Sequence, residues 1–361
     1  MRSGLILFLL LAAAVSAEAA ETQDIVSLFD GTSQEGKVDS PEEKKEDSGI
    51  FSFLNFGRMK KDAPKITVAD EKRLSPFEQS VKLADGGDVN AQLLVGYSYL
   101  YGQNGAAVNY DKAFEYYAKA AMQNDSVGLN NLGSLYYSGV GVSRNTAKAA
   151  ILFEKSASLG NAEAAVNLAF ILISGNGVEK NPAEAMNLFE KASSSGNVSA
   201  QFMYGYAQYT GRLRAQNYAA AAPLIKKAAD AGFDEAQYVV ALMYINGLGF
   251  PQHYGNAVKY LRKAAEQGSV EAMMTLGDIY ARGEKYKKDI YLAHIFFNLA
   301  AVRGAPTAAE KRSVLEEKMK IEEVLQAQTE AENFREKISE ITSYIRQTFG
   351  TGIRAFVDEA K

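Results

Sequence analysis

Apolar residues recur with a fixed period over most of the chain. Alanine returns at intervals of 36 residues, and a bulky apolar residue lies four positions after each alanine. A spacing of four places both side chains on one face of an α-helix, so the pattern predicts a buried helix in every repeat. The alanines are Ala113, Ala149, Ala185, Ala221, Ala257 and Ala293, and the bulky residues are Tyr117, Phe153, Phe189, Ile225, Leu261 and Phe297.

An earlier set of positions predicts a first helix in each repeat. A small residue is followed at the sixth position by a glycine, and Tyr stands midway between them in most repeats. Glycine adopts the left-handed conformation that ends many helices, so it marks the start of a loop. The small residues are Gly96, Gly133, Ala169, Gly205, Ala241 and Gly277, and the glycines are Gly102, Gly139, Gly175, Gly211, Gly247 and Gly283.

The start of the second helix is marked by polar residues four positions before each register alanine. Asn and Asp are preferred there because their side chains accept a hydrogen bond from an unpaired backbone N–H. We therefore expect each repeat to be a helix, a glycine-containing loop and a second helix. The predicted N-caps are Asn109, Asn145, Asn181, Asn217, His253 and Asp289.

This pattern resembles the Sel-like repeat family, whose members are relatives of tetratricopeptide repeats. The clearest repeat reads EAQYVVALMYINGLGFPQHYGNAVKYLRKAAEQG, residues 235–268. The resemblance covers residues 76–304, as six repeats and a leading half repeat at 76–88. It implies an all-α fold, a right-handed α-solenoid of six helix–loop–helix repeats. The family's G-x-G loop is lost in the fourth and sixth repeats, at Gly211 and Gly283, which leaves the loop shape there open.

The N-terminal residues have the composition of targeting and tether segments. Residues 1–19 combine a basic start with a short apolar run and small residues, which predicts a cleaved signal peptide and a periplasmic or secreted protein. We expect residues 20–75 to be a disordered tether, because residues 21–49 carry nine acidic and three basic residues with scattered Ser and Gly. Within it, residues 50–61 (IFSFLNFGRMKK) form a short apolar and basic motif. This motif is a candidate for docking on the repeats or for touching a membrane surface.

We expect residues 305–361 to form a helical cap and tail. Residues 315–328 resemble the end helices that close such arrays. An apolar stripe then continues at helical spacing through Ala331, Phe334, Ile338, Ile341 and Ile345, which predicts one amphipathic helix. This helix either covers the last repeat or binds a partner or a second copy.

The amino-acid composition disfavours several classes of function. The net charge is −4, which does not favour non-specific binding of nucleic acid. The chain has no Cys and only two His, and it lacks the nucleophile, zinc-protease and phosphate-loop motifs. We therefore expect no enzyme activity, no cofactor and no metal site.

An interaction surface remains. In tetratricopeptide-type arrays the first helices line a concave face, and the resemblance implies a protein or peptide groove at positions three before, one after and four after each small residue. Aromatic residues in such a groove either contact a partner or belong to the core between repeats. The candidate partner-binding residues are Tyr97, Asn130, Tyr137, Phe170, Phe202, Tyr206, Tyr209 and Tyr238.

The sequence thus favours a non-enzymatic scaffold or adaptor of the cell envelope that binds an unknown protein or peptide. One alternative is an envelope regulator of a membrane sensor or motility complex. A hydrolase of cell-wall fragments or β-lactams is disfavoured, although some family members carry such names.

Export is directly testable. We expect cleavage between Ala17 and Ala20, because small residues there follow the apolar run from Leu5 to Val15. N-terminal sequencing of the protein from an envelope fraction checks this. A mature chain that begins at Met1, or recovery only from the cytosol, contradicts the prediction.

Overall fold

The computed structural model describes residues 74–358, which form sixteen α-helices and contain no strand. They belong to two compact units that divide between Gly196 and Asn197. The predicted signal peptide and the motif at 50–61 lie outside the described residues, as does the tether up to residue 73.

Consecutive helices pack against each other within each unit up to α14, and α15 packs on α13. The helices of the first unit are α1 (Pro76–Asp85), α2 (Val89–Tyr101), α3 (Tyr110–Met122), α4 (Ser126–Ser138), α5 (Thr146–Ser158), α6 (Ala162–Ser174) and α7 (Pro182–Ser194). Those of the second unit are α8 (Val198–Thr210), α9 (Tyr218–Asp230), α10 (Asp234–Asn246), α11 (Tyr254–Glu266), α12 (Val270–Arg282), α13 (Ile290–Val302), α14 (Ala308–Glu316), α15 (Ile321–Glu332) and α16 (Glu340–Asp358).

All six predicted N-caps of the second helices are confirmed. Each side chain accepts a hydrogen bond from the backbone N–H three residues later, as Asn145 Oδ1 does from Lys148 at 2.9 Å. His253 fills the same role through Nδ1, which accepts from Asn256 N–H at 2.9 Å. The side chains at these six positions therefore cap the start of the second helix.

The six predicted loop glycines are also confirmed as helix ends. They adopt φ values between 65° and 76°, in the left-handed region where a side chain is strained. In the fourth repeat Leu213 takes the place of the second loop glycine and adopts φ of 59°. The loop therefore keeps a left-handed residue there even though the G-x-G sequence is lost.

The two helices of each repeat meet where a small residue faces a bulky one. A Cβ atom on Gly133 would lie 2.9 Å from the Phe153 ring, and one on Gly277 would lie 2.4 Å from the Phe297 ring. The six bulky register residues are at most 1% exposed. In four of the six repeats the small residue is glycine, so the close approach of the helices there depends on the absence of a side chain on the first helix.

The prediction of one continuous C-terminal helix was wrong. α14 and α15 pack against α13, as a cap does, but α15 ends at Glu332 and residues 333–339 are not helical. Near the end of this stretch two backbone N–H groups bond to the repeats: Lys337 N–H to the Glu266 carbonyl at 2.8 Å and Ser339 N–H to Gln267 Oε1 at 2.9 Å. A new helix, α16, then begins at Glu340.

The cap assignment predicts a specific loss of stability. We expect Asn145→Ala to lower the free energy of unfolding by about 0.5–2 kcal/mol, because the Lys148 N–H loses its acceptor. Asn187→Ala is the matched control, since Asn187 lies exposed inside α7, and it should change stability by no more than about 0.5 kcal/mol. Urea unfolding measures both. Equal midpoints for the two variants contradict the assignment.

Candidate partner-binding surfaces

The eight candidate residues divide by burial. Tyr97, Asn130, Phe202 and Tyr206 are at most 7% exposed, which places them inside the packing of the repeats. The others, Tyr137, Phe170, Tyr209 and Tyr238, are half-buried. Only this second group presents side-chain surface to solvent in the structure.

Exposure depends on the position within the first helix. The residue four positions after the small residue is half-buried in the second to fifth repeats, where it is Tyr137, Ile173, Tyr209 and Ile245. This position lies in the last turn of the helix, just before the loop glycine. The residues three before and one after are mostly buried in the first four repeats. The last turn of the first helix is thus the accessible part of the predicted surface.

In the first unit the exposed aromatic rings are supported by neighbours. The Arg144 guanidinium lies over the Tyr137 ring at 5.4 Å, and the Phe170 and Phe189 rings meet edge to face at 5.4 Å. Asn130 does not belong to the accessible surface. Its buried Oδ1 accepts a hydrogen bond from Asn167 Nδ2 at 3.0 Å, and this bond links two consecutive repeats.

In the second unit several aromatic residues come together around Tyr209. Its ring lies 5.7 Å from that of Tyr218 and 6.1 Å from that of Tyr206. Burial raises the pKa of Tyr209, and the nearby Tyr218 and Tyr238 add to the effect. The phenol therefore stays protonated at neutral pH and presents both an apolar ring and a hydrogen-bond donor.

These surfaces have the chemistry of protein recognition. Half-exposed tyrosines supply contact area and a polar group at small entropic cost. No group of three or more His, Cys, Asp or Glu side chains within residues 74–358 is placed to hold a metal ion. Over the same residues, no helix has both the length and the apolar character needed to cross a membrane.

A second surface was not predicted from the sequence. In the second unit, the turns that join one repeat to the next form an edge around Gly232 and Gly268, which we call the turn edge. We call residues 336–349 the C-terminal strap. Ser339 Oγ donates a hydrogen bond to the Gly232 carbonyl at 2.8 Å, and Ser339 N–H donates one to Gln267 Oε1 at 2.9 Å. The strap therefore covers the turn edge.

The strap also completes a helix that lacks its own cap. The other first helices begin after Asp88, Asp125, Asn161, Asn197 and Ser269, each of which accepts a local N–H. α10 instead begins after Phe233, whose ring packs against that of Phe202 at 4.9 Å. Thr342 Oγ1 accepts the Asp234 N–H at 3.1 Å, which is the first N–H of this helix, whereas the local caps accept the N–H three residues after the cap. The polar residue absent from position 233 was the sequence signal for this contact.

Charge is buried where the strap meets α10. Asp234 is 2% exposed and forms an ion pair with Arg346. Burial, together with the neighbouring Asp234 carboxylate, raises the pKa of Glu235 to about 9. Glu235 is therefore protonated at neutral pH, and Arg346 is left to balance Asp234.

A family comparison matches the repeats directly. The Sel1 repeat model matches residues 89–125, 126–161, 162–197, 198–233, 234–269 and 270–304. These six segments confirm the predicted resemblance and the number of repeats. A comparison with curated protein sequences gave no match.

Solved structures with similar chains are repeat proteins of the same kind. A Sel1 repeat protein from Oxalobacter formigenes is 26% identical, with a TM-score of 0.54 over 63% of this chain and 99% of that one. c5321, a protective antigen of uropathogenic Escherichia coli with an SLR fold, is 25% identical. It has a TM-score of 0.49 and covers 79% of this chain and 67% of its own.

The raised pKa of Glu235 predicts a pH dependence. The folded protein keeps a proton that the unfolded chain releases near pH 4.5, so the free energy of unfolding should fall as pH rises from 4.5 to about 9. Glu235→Gln removes the titrating group and should flatten this part of the profile. Urea unfolding at about pH 5 and about pH 9 measures the difference.

Glu271→Gln is the matched control for this experiment. Glu271 occupies the same position one repeat later and is exposed. Its profile should follow that of the wild type. If Glu235→Gln also follows the wild type, Glu235 is ionised in the folded protein and the prediction fails.

Proposed function

The chain belongs to the Sel1 repeat family, and from this we propose that it is a non-enzymatic interaction scaffold or adaptor of the cell envelope. Sel1 repeats are protein-interaction repeats. The partner is a protein or peptide that binds the last turns of the first helices. The same proposal assigns the chain no catalytic residue and no cofactor.

The half-exposed aromatic residues are the observation that supports partner binding on this surface. Tyr137 and Tyr209 occupy equivalent positions in different repeats, and both keep part of the ring accessible. A residue that served only the core would be buried like Tyr206. Tyr is also among the residues most enriched at protein-binding hot spots.

The envelope location rests on the first nineteen residues. Their basic start, short apolar run and small residues have the order of a secretory signal. We propose that the mature chain works in the periplasm or outside the cell. Residues 50–61 are a further proposed ligand, because their apolar side chains suit the same aromatic surface.

The proposed surface can be tested with a captured partner. The full mature chain serves as bait for an envelope extract, and the recovered protein is then titrated against purified variants. Tyr137→Ala with Tyr209→Ala should weaken its binding at least tenfold, because truncation of a hot-spot residue costs about 2 kcal/mol or more.

Tyr110→Ala is the control, since Tyr110 is 37% exposed but lies at the start of a second helix. It should leave the affinity unchanged. If the paired variant binds as tightly as the wild type, the partner uses another surface and the assignment of these tyrosines is wrong.

A further inference from the structure

The first unit contains a turn with the same hydrogen bonds as the turn edge, and the strap does not cover it. In the first unit, Gln123 Nε2 donates to the Gly87 carbonyl at 3.0 Å and to Gln92 Oε1 at 2.9 Å. In the second unit, Gln267 Nε2 makes the equivalent bonds to Gly232 at 2.8 Å and Gln237 at 2.9 Å. The edge thus keeps its shape without an occupant.

The two places differ in one capping residue and in their occupant: Asp88 caps the first helix in the first unit, where Phe233 stands in the second. Gln123 is exposed, and no atom lies within 4 Å of a Cβ added at Gly87. Gln267 is 4% exposed, and a Cβ at Gly232, which is the counterpart of Gly87, would lie 3.1 Å from Ser339 Oγ of the strap. The strap therefore binds a preformed surface, as a peptide ligand does.

Binding of the strap is coupled to the start of its own helix. Ser339 Oγ accepts the Thr342 N–H at 3.0 Å, which caps α16, while the same hydroxyl donates to the Gly232 carbonyl. A strap that leaves the edge loses a partner for its cap. Such coupling of docking and helix formation is typical of segments that exchange between bound and free states.

The strap supplies the cation that balances a buried carboxylate. Asp234 is 2% exposed and pairs with Arg346 through Oδ2, and its other partner is the neighbouring Glu235 side chain. The empty site would in turn expose the uncapped start of α10 and an unbalanced Asp234, so it favours an occupant.

We propose that the C-terminal strap is a displaceable internal ligand and that the turn edge it covers binds a partner peptide of the same chemistry. The partner segment begins a helix with serine, places threonine three residues later and arginine seven residues later, and buries an apolar side chain beside that arginine. In the strap these are Ser339, Thr342, Arg346 and Ile345, the last of which is 1% exposed. This inference rests on the proposed interaction function.

The experiment uses the full chain and a fluorescent peptide of residues 334–349, with binding followed by anisotropy. Thr342→Val with Arg346→Ala in the protein weakens its own strap, so the peptide should bind this variant at least tenfold more tightly than the wild type. Gln347→Ala is the control, because Gln347 is an exposed residue of α16, and it should bind as the wild type does.

Amide chemical shifts of Gly232 and Asp234 show whether the peptide binds at the turn edge. A substituted peptide shows whether Thr342 and Arg346 are needed for binding. A peptide that carries Thr342→Val and Arg346→Ala should bind at least tenfold more weakly to the strap-weakened protein. Tyr209→Ala should leave peptide binding unchanged, so failure of the aromatic surface is distinguishable from failure of this site. Arg346→Ala alone provides a milder variant if the double one does not fold.

Equal affinity for the wild type and both strap variants would overturn the proposal, as would absence of saturable binding to them. Light scattering, which measures the oligomeric state, tests whether a second copy of the chain occupies the turn edge. We expect a monomer at all concentrations tested. A dimer that is lost on Thr342→Val with Arg346→Ala would show that a second copy, not a partner peptide, exchanges at the edge.

Discussion

The fold depends on one contact between the two helices of a repeat, which is made at Gly96, Gly133, Gly205 and Gly277. A small residue on the first helix faces a bulky apolar residue on the second, and the rings of Phe153 and Phe297 occupy the space that a side chain would need. Protein cores are close-packed, so a larger residue on the first helix would separate the two helices. The fixed helix separation in turn sets where the loops and turns emerge.

A second constraint comes from the helix ends. Each helix leaves backbone N–H groups without partners, and a chain of short helices has many such ends. Local Asn, Asp, Ser and His caps satisfy them almost everywhere in the repeats. The exception is α10, where Phe233 contributes to the core and the acceptor comes from Thr342. The need to satisfy backbone donors thus ties the strap to one particular repeat.

The two candidate surfaces lie at different ends of the first helices. The last turns carry Tyr137 and Tyr209 and offer aromatic area beside the loops. The helix starts belong to the turn edge, where backbone carbonyls, Gln267 and Asp234 offer polar contacts. The first surface suits an apolar partner, and the second suits a polar segment that forms a helix.

The spacing of residues along the chain predicts the features that recur every 36 residues. Helix number, the N-caps such as Asn145 and the left-handed glycines follow from local spacing, because each depends on residues within a few positions. It could not separate Tyr206 from Tyr209, since both lie on the same helical stripe and only the packing of neighbouring helices buries one and leaves the other half-exposed.

The path of the C-terminal segment was decided by tertiary structure alone. The stripe from Ala331 to Ile345 has helical spacing, yet residues 333–339 leave the helix, because the turn edge offers hydrogen-bond partners to their backbone. Those partners lie about 70 to 110 residues away along the chain, as for Ser339 with Gln267 and Gly232. Local periodicity carries no information about contacts at that separation, and so only the folded chain could place the strap.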